Sequence, residues 1–196
     1  MTFIEPVPES DASEATAQMY AVDREVFGHL PNFTSAFSHR PEIYAAWRQL
    51  NGAIKASMDL RRYELATLAA ARRLRSSYCM LAHGTILADQ FLGPDVVQTL
   101  AADPGSAGLD AVDLAVMELA DKVAQDATSV TQADIDLLRS HGLSDAEIFD
   151  VVAAAAARCF FSKALDGVGA QADAHYAELD PQLRAALTVG RPIAGG

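Results

Sequence analysis

The spacing of apolar residues is the feature that most restricts the fold of this chain. Apolar side chains recur at intervals of three and four residues, most regularly at Leu109, Val112, Val116, Leu119 and Val123. This spacing places apolar side chains on one face of a helix. No segment of the sequence shows sustained period-two alternation of β-branched residues, the pattern of a half-buried strand. The sequence therefore predicts an all-α protein with essentially no sheet.

Residues that start and stop helices divide the chain into a series of predicted helices. Asp11 with Glu14 and Ser144 with Glu147 have the spacing of capping boxes, and Pro41 is placed to open a helix. The predicted helices cover residues 11–27, 41–54, 60–74, 78–91, a short segment from 95, 109–123, 131–142 and 144–165. Ile43, Trp47, Leu50 and Ile54 are expected to form one apolar stripe. Short links favour an antiparallel bundle, and the tail after residue 165 has a weaker pattern.

Composition and charge narrow the class of protein. Apolar residues make up 51% of the 196 residues and composition does not shift along the chain, so residues 1–196 are predicted to form a single domain. The net charge of −11 argues against nucleic acid or an anionic membrane as a partner. The first residues, MTFIEPVPES, lack a signal-peptide pattern, and no apolar run is long enough to span a bilayer. We expect a cytoplasmic protein.

Three residues are placed where they could support thiol chemistry. Cys79 follows Ser76 by three positions, so an N-cap at Ser76 would put Cys79 in a first helical turn, where free backbone N–H groups stabilise a thiolate. His83 is four residues further on, on the same helical face, and can accept the thiol proton directly or through a water molecule. Glu64 lies on the apolar side of the preceding predicted helix and can orient His83.

Structural roles explain the same residues equally well at this level. A cysteine in an Ala-rich helix is often a small core residue, a histidine can be half-buried with a satisfied ring, and Glu64 could pair with Arg61 or Arg75. Cys159 falls on the core face of its predicted helix and is expected to be structural. The arginines at 61, 62, 72, 73 and 75 predict a solvated or inter-subunit face that could attract an anionic substrate.

No metal or cofactor is predicted. Cys79 and His83 would need two further ligands to hold zinc, and the other histidines share no ligand-like spacing. Those histidines are His29, His39, His141 and His175. The sequence also has no Gly-rich phosphate loop, nucleophile elbow or dinucleotide fingerprint.

The segment RRYELATLAAARRLRSSYCMLAHG, residues 61–84, resembles the active-site signature of the AhpD-like alkylhydroperoxidase and carboxymuconolactone decarboxylase superfamily. That signature is a glutamate, then C-x-x-C, then a histidine four residues after the second cysteine. Glu64, Cys79 and His83 fit these offsets, whereas Ser76 stands in place of the first cysteine. The motif core covers about residues 60–84, and the S-x-x-C form resembles the peroxidase-related subgroup.

The resemblance implies an AhpD-like antiparallel helical bundle that assembles into dimers, trimers or hexamers. It implies that Cys79, His83 and Glu64 are catalytic, with Ser76 and Tyr78 as auxiliary residues. The expected activity is reduction of a small hydroperoxide by Cys79, with an external thiol as reductant because Ser76 cannot form the second half of a disulfide. The alternatives are a carboxymuconolactone decarboxylase-like enzyme using His83 and Glu64, and a non-catalytic redox-sensing helical oligomer.

Overall fold

All long elements of the computed structural model, which describes residues 2–195, are α-helices, and no β-strand occurs within that range. The helices are α1 (Glu14–Phe27), α2 (Asn32–Ala36), α3 (Pro41–Ser57), α4 (Leu60–Leu74), α5 (Ser77–Leu87), α6 (Pro94–Ala102), α7 (Ala111–Asp126), α8 (Gln132–Ser140), α9 (Asp145–Gly167) and α10 (Pro181–Leu187). A short π-helical turn, Ala88–Leu92, continues α5. The predicted all-α class is confirmed.

Helix α4 is the centre of the bundle and packs against α5, α7 and α9. Every residue from 63 to 71 is buried, so this helix has no solvent-facing side over two and a half turns. Alanines at 66, 69, 70 and 71 let three neighbouring helices approach its axis closely. The predicted bounds of α4, residues 60–74, are confirmed, and they place Glu64 inside the core with no exposed surface.

Most predicted helix ends are confirmed, but the first N-cap is not. Helix α1 starts one residue after Ser13, whose hydroxyl accepts the Thr16 N–H at 3.2 Å, while Asp11 belongs to a preceding 3₁₀ turn. The prediction placed the cap two residues too early because the 3₁₀ turn after Pro8 already uses Asp11. Ser144 and Glu147 form the predicted capping box, with both reciprocal hydrogen bonds present.

The apolar stripe predicted on α3 is only half correct. Trp47 and Ile54 are buried, but Ile43 and Leu50 keep 43% and 51% of their surfaces exposed. Tyr44, one position after Ile43, is also buried. The buried face of α3 is therefore rotated toward Tyr44, because α3 packs on α9 and α1 along one side, and Ile43 and Leu50 lie at its outer edge.

The C-terminal tail is more ordered than its sequence pattern indicates, and it covers the turn between α4 and α5. Helix α10 packs on α5 and α6, and its fully buried Leu187 lies against Gly84, where a Cβ would come within 2.5 Å of a Leu187 methyl group. Gly190 donates its N–H to the Ser77 hydroxyl at 2.7 Å. A Cβ at Gly190 would lie 2.0 Å from the Arg75 carbonyl, so only glycine fits. The tail thus packs over the start of α5.

Membrane insertion has no support in the helices of residues 2–195, since none of them combines the length and apolar character that a bilayer crossing requires.

Candidate functional site

Cys79 lies in the first turn of α5, as predicted, although the capping residue does not act as expected. Ser76 occupies the N-cap position, but its buried side chain makes no capping hydrogen bond. The Ser77 hydroxyl is used by Gly190 instead of by the helix. Cys79 is the third residue of the helix, where the partial positive charge of the helix N-terminus acts on its sulfur.

Two side chains of α9 contact the sulfur of Cys79. The Ser162 hydroxyl donates to Cys79 Sγ at 3.1 Å, and the Arg158 guanidinium donates from Nη1 at 3.6 Å. Residues 158 and 162 are four apart and therefore share one helix face. All three side chains are buried. Sequence reasoning missed Arg158 and Ser162; a lone arginine within the Ala-rich run of α9 was the available signal.

Arg158 remains a cation despite its burial. Burial by itself lowers the pKa of a guanidinium, but the Cys79 sulfur and the Tyr63 hydroxyl raise the pKa of Arg158 above its ordinary value. Its Nη2 donates to Tyr63 Oη at 3.2 Å, and its guanidinium carbon lies 5.6 Å from the centre of the Trp47 ring. A fixed positive charge is thus held next to the thiol, which favours the thiolate form.

His83 and Glu64 form a buried pair. His83 Nδ1 lies 2.5 Å from Glu64 Oε2, and Lys55 Nζ lies 3.7 Å from the other carboxylate oxygen. Burial and the positive charge of Arg158 lower the pKa of His83, and this outweighs the opposite effect of Glu64. His83 is therefore neutral at pH 7. With its Nδ1–H donated to the carboxylate, Nε2 carries the free lone pair.

Cys79, His83 and Glu64 line one cavity of about 370 Å³. No hydrogen bond joins Cys79 to His83 in the described part of the chain, so proton transfer between them would need an intervening water molecule or substrate. Seven aromatic side chains also line the cavity: Phe27, Phe33, Tyr44, Trp47, Tyr63, Tyr78 and Phe161. Arg48 and Lys55, each less than half exposed at the side chain, add positive charge to the wall.

The other residues that the sequence analysis identified differ in whether they line this cavity. Tyr78 lines the cavity, and its hydroxyl donates to the Asp173 carboxylate and accepts the Phe33 N–H at 3.1 Å. Cys159 is half-buried rather than fully buried, does not line the cavity, and forms no disulfide with Cys79. Burial raises the pKa of the Cys159 thiol.

The predicted cluster of arginines is not a free basic surface. Arg61 pairs with Asp113 at 2.5 Å, Arg62 with Glu147 at 3.0 Å, and Arg73 with Asp121. The arginines of α4 therefore tie this helix to α7 and α9 rather than to a substrate. Glu64 pairs with His83 and Lys55, so neither Arg61 nor Arg75 is the partner that its spacing suggested.

Two of the remaining histidines come together in space. His29 follows α1 and His175 follows α9, yet their ring centres are 5.3 Å apart, and both lie next to Asp173. Sequence spacing carries no sign of this cluster, because the two histidines are separated by more than 140 residues. It lies outside the cavity that contains Cys79.

Fold and site together define a helical-bundle protein with a single buried thiol at a helix N-terminus and a glutamate–histidine pair on the same cavity. Comparison with solved structures identifies the bundle as the AhpD-like fold. An uncharacterized peroxidase-related protein from Ralstonia eutropha JMP134, described as an alkylhydroperoxidase AhpD core, is 22% identical and superposes with a TM-score of 0.78, covering 97% of this chain and 98% of that one.

Two further structures extend this comparison. An uncharacterized peroxidase-related protein from Silicibacter sp. TM1040 is 20% identical, with a TM-score of 0.74 and coverage of 89% of this chain and 90% of that one. The debrominase Bmp8, as a cysteine-to-alanine variant in complex with 2,3,4-tribromopyrrole, is 16% identical, with a TM-score of 0.72 and coverage of 95% and 96%. No protein-family model and no curated protein matches the sequence. At these identities the likeness establishes the fold.

Proposed function

We propose that this protein reduces hydroperoxides with Cys79 as the attacking thiol and an external thiol as the reductant. The observation that carries the proposal is the surroundings of the sulfur. Cys79 Sγ lies at the N-terminal turn of α5, accepts hydrogen bonds from Arg158 and Ser162, and lines a cavity large enough for a small organic molecule. The helix N-terminus and the two hydrogen-bond donors favour the thiolate, which is the nucleophilic form of cysteine, and the cavity gives a substrate room to reach it.

In the first step the Cys79 thiolate attacks the terminal oxygen of the hydroperoxide. The new S–O bond forms as the O–O bond breaks, which leaves a sulfenic acid on Cys79 and an alkoxide that takes up a proton to become the alcohol. The sulfur is oxidised and the peroxide is reduced by two electrons. The Arg158 guanidinium, 3.6 Å from the sulfur, is placed to offset negative charge as it moves from sulfur to oxygen.

His83 is the proposed carrier of the proton. Its neutral imidazole, fixed through Nδ1 by Glu64, leaves Nε2 free to accept the thiol proton through a water molecule and to return it to the alkoxide. Glu64 would hold the ring and stabilise the imidazolium that forms in between. Lys55 Nζ, 3.7 Å from the second carboxylate oxygen, places a positive charge next to the buried Glu64 side chain.

Reduction of the sulfenic acid requires a thiol from outside the site. Ser76 stands where a second cysteine would be needed, and Cys159 lies outside the cavity. One external thiol condenses with the sulfenic acid to give a mixed disulfide and water, and a second thiol releases Cys79 and leaves as the external disulfide. In a Ser76→Cys variant, the new cysteine should condense with the sulfenic acid on Cys79. The disulfide would then form inside the protein without a small external thiol.

Trapping of the sulfenic acid tests the proposal. The protein is treated with an alkyl hydroperoxide and a sulfenic-acid-specific carbon nucleophile, and the labelled peptides are identified by mass spectrometry. We expect label on Cys79 and none on Cys159. Equal labelling of the two cysteines, or no label on either, contradicts the proposal, as would turnover that survives in Cys79→Ser.

Reductive dehalogenation of a small aromatic compound is a second candidate, favoured by the seven aromatic side chains in the cavity wall and by the fold shared with a debrominase. The Cys79 thiolate would take a halogen from carbon, the ring carbon would take a proton, and an external thiol would release halide and form a disulfide with Cys79. Release of bromide from a brominated pyrrole, measured beside peroxide consumption, separates the two reactions. A decarboxylase using His83 and Glu64 would keep its activity in Cys79→Ser.

We also propose that the chain forms a homo-oligomer. Large apolar side chains stay exposed on the outer faces of three helices: Val26 and Phe27 on α1, Ile43 and Leu50 on α3, and Phe149 and Phe160 on α9. Such surfaces commonly mark protein–protein contacts. Light scattering at several concentrations tests this, and a monomer at all of them would contradict it.

A further inference from the structure

We propose that His29, Asp173 and His175 form a binding site for a divalent transition metal ion such as Zn²⁺, separate from the Cys79 cavity. Each residue offers one ligand atom, and these atoms lie within 4.8 Å of one another. His29 is located just after α1, and Asp173 and His175 lie in the segment between α9 and α10. Two imidazoles with one carboxylate are a donor set that Zn²⁺ and other late transition metals accept.

The distances are compatible with a shared ion. Zn–N and Zn–O bonds are about 2.1 Å long, so two ligand atoms on a tetrahedral zinc ion are about 3.4 Å apart. His29 Nε2 and Asp173 Oδ1 are 3.8 Å apart. Closing this gap needs a displacement of a few tenths of an ångström. His175 is exposed and can rotate its ring into place.

The surroundings of the ligands favour metal binding over a simple surface cluster. His29 Nδ1 lies 3.1 Å from the Phe27 carbonyl oxygen, so Nδ1–H donates there and the Nε2 lone pair is left for Asp173 and an ion. Asp173 Oδ1 accepts the Asn32 N–H at 2.8 Å, and Oδ2 accepts the Tyr78 hydroxyl. Metal ligands are commonly held by such hydrogen bonds from a second set of groups, which fix the tautomer and the carboxylate orientation.

Asp173 also lacks a permanent cation partner. Its side chain is 9% exposed, and within residues 2–195 its one ion-pair partner is His29, at 3.8 Å. No lysine or arginine lines the surface depression that contains the cluster. A nearly buried carboxylate without a cation is costly, and a bound divalent ion would supply the missing positive charge.

The proposed ion would link distant parts of the chain. It would join the segment after α1 to the segment after α9, which are otherwise connected through Asn32 and its hydrogen bonds to Asp173 and to the Gln171 carbonyl. Asp173 holds the Tyr78 hydroxyl, and Tyr78 is part of the cavity wall. The ion would therefore fix one wall of the Cys79 cavity without contacting the sulfur, whatever reaction takes place there.

Calorimetric titration with zinc chloride tests the site. Chelator-treated protein carrying Cys79→Ser and Cys159→Ser is used, so that thiols do not contribute. We expect one equivalent of Zn²⁺ to bind, with the affinity falling by about 100-fold or more in His29→Ala and in His175→Ala. The matched control is His141→Ala, another exposed histidine at the end of α8. It should bind zinc like the parent.

Circular dichroism and thermal melting of the metal-free variants separate loss of the site from loss of the fold. Both substituted histidines are exposed, so the metal-free variants should melt close to the parent, and only the parent and His141→Ala should gain stability on adding Zn²⁺. Absence of a one-equivalent titration in the parent would overturn the proposal. So would zinc binding that is equal in His29→Ala, His175→Ala and His141→Ala. Neither result would bear on peroxide reduction at Cys79.

Discussion

The two cysteines of this chain occupy environments that differ in nearly every property that controls thiol chemistry. Cys79 lies in the first turn of α5, next to the Arg158 guanidinium, in a cavity shared with His83. Cys159 lies in the middle of α9, half-buried, with burial raising the pKa of its thiol. The environment that the fold gives each thiol, and not the residue type, therefore controls its expected reactivity.

Helix α9 creates the difference between the two thiols. Arg158 and Ser162 share the face that points toward α5, whereas Cys159 lies about 100° from Arg158 around the same helix. Arg158, which precedes Cys159 in the sequence, therefore places its positive charge next to Cys79, 79 positions away. One helix supplies the polar partners of Cys79 and keeps its own thiol out of the cavity.

Replacing each cysteine in turn by serine should give the largest difference in peroxide consumption between two variants. Cys79→Ser should lose peroxide consumption down to the uncatalysed rate, because a serine hydroxyl is not ionised at neutral pH and is not oxidised by peroxide. Cys159→Ser should stay within about twofold of the parent, because Cys159 does not line the cavity. The measurement is the initial rate of alkyl hydroperoxide loss with excess thiol. Comparable losses in the two variants would remove the distinction between the cysteines.

Replacement of His83 by glutamine should have the next largest effect. Glutamine can still donate a hydrogen bond to Glu64 but cannot accept and return a proton, so turnover should fall by about 100-fold or more. Alkylation of Cys79 by iodoacetamide at a pH where the thiol is already ionised should change much less. If turnover and alkylation fall by the same factor, His83 acts on the nucleophilicity of the thiolate or on access to it, and not as a proton carrier.

Removal of the Arg158 charge should reduce the difference in reactivity between the two thiols. Arg158→Met keeps the length of the side chain but removes the cation next to Cys79, so alkylation of Cys79 at pH 7 should slow by about 10- to 100-fold, the equivalent of one hydrogen bond to a charged group. Arg158→Lys should recover part of the rate. The matched control is Lys163→Met, since Lys163 is exposed and acts electrostatically on Cys159. An unchanged rate in Arg158→Met would exclude Arg158 from thiol activation.

The sequence predicts the residues that α4 and α5 contribute to this site, but not those that α9 contributes. Glu64, Cys79 and His83 lie within twenty positions on two helices whose bounds follow from capping and spacing, so their proximity could be inferred. Arg158 and Ser162 could not, because their role depends on which face of α9 meets α5. That choice is made by packing around α4, which contacts both helices.

The dependence on tertiary packing also explains the other differences between the predicted and the observed fold. A stripe on α3 specifies a helix face but not how much of it neighbouring helices cover, and Ile43 and Leu50 remain exposed for this reason. Helix α10 has little periodicity of its own, and its position depends on a close approach to Gly84 that has no local signal. The His29 and His175 pair likewise arises from two chain segments that only the tertiary fold brings together.

The stability of the protein should depend on pH through His83, which lines the same cavity as Cys79. The pKa of His83 is lowered from 6.5 in the folded state, mainly by burial and by Arg158. The unfolded chain therefore binds a proton at pH values where the folded chain does not. The free energy of unfolding should be highest above pH 6.5 and should decrease as pH falls through the folded pKa. Urea unfolding at pH 8 and pH 5.5 should show a smaller difference in His83→Gln than in the parent.

Loss of the Ser162 hydroxyl should have the smallest effect on the reactivity of Cys79. Ser162→Ala removes a neutral donor at 3.1 Å from the sulfur while leaving Arg158 in place, so alkylation of Cys79 should slow by only about two- to tenfold. If the effects of Arg158→Met and Ser162→Ala multiply in the double variant, the two donors act independently on the sulfur. A double variant no slower than Arg158→Met would mean that Ser162 acts by positioning the guanidinium, since removing the hydroxyl then matters only while the charge is present.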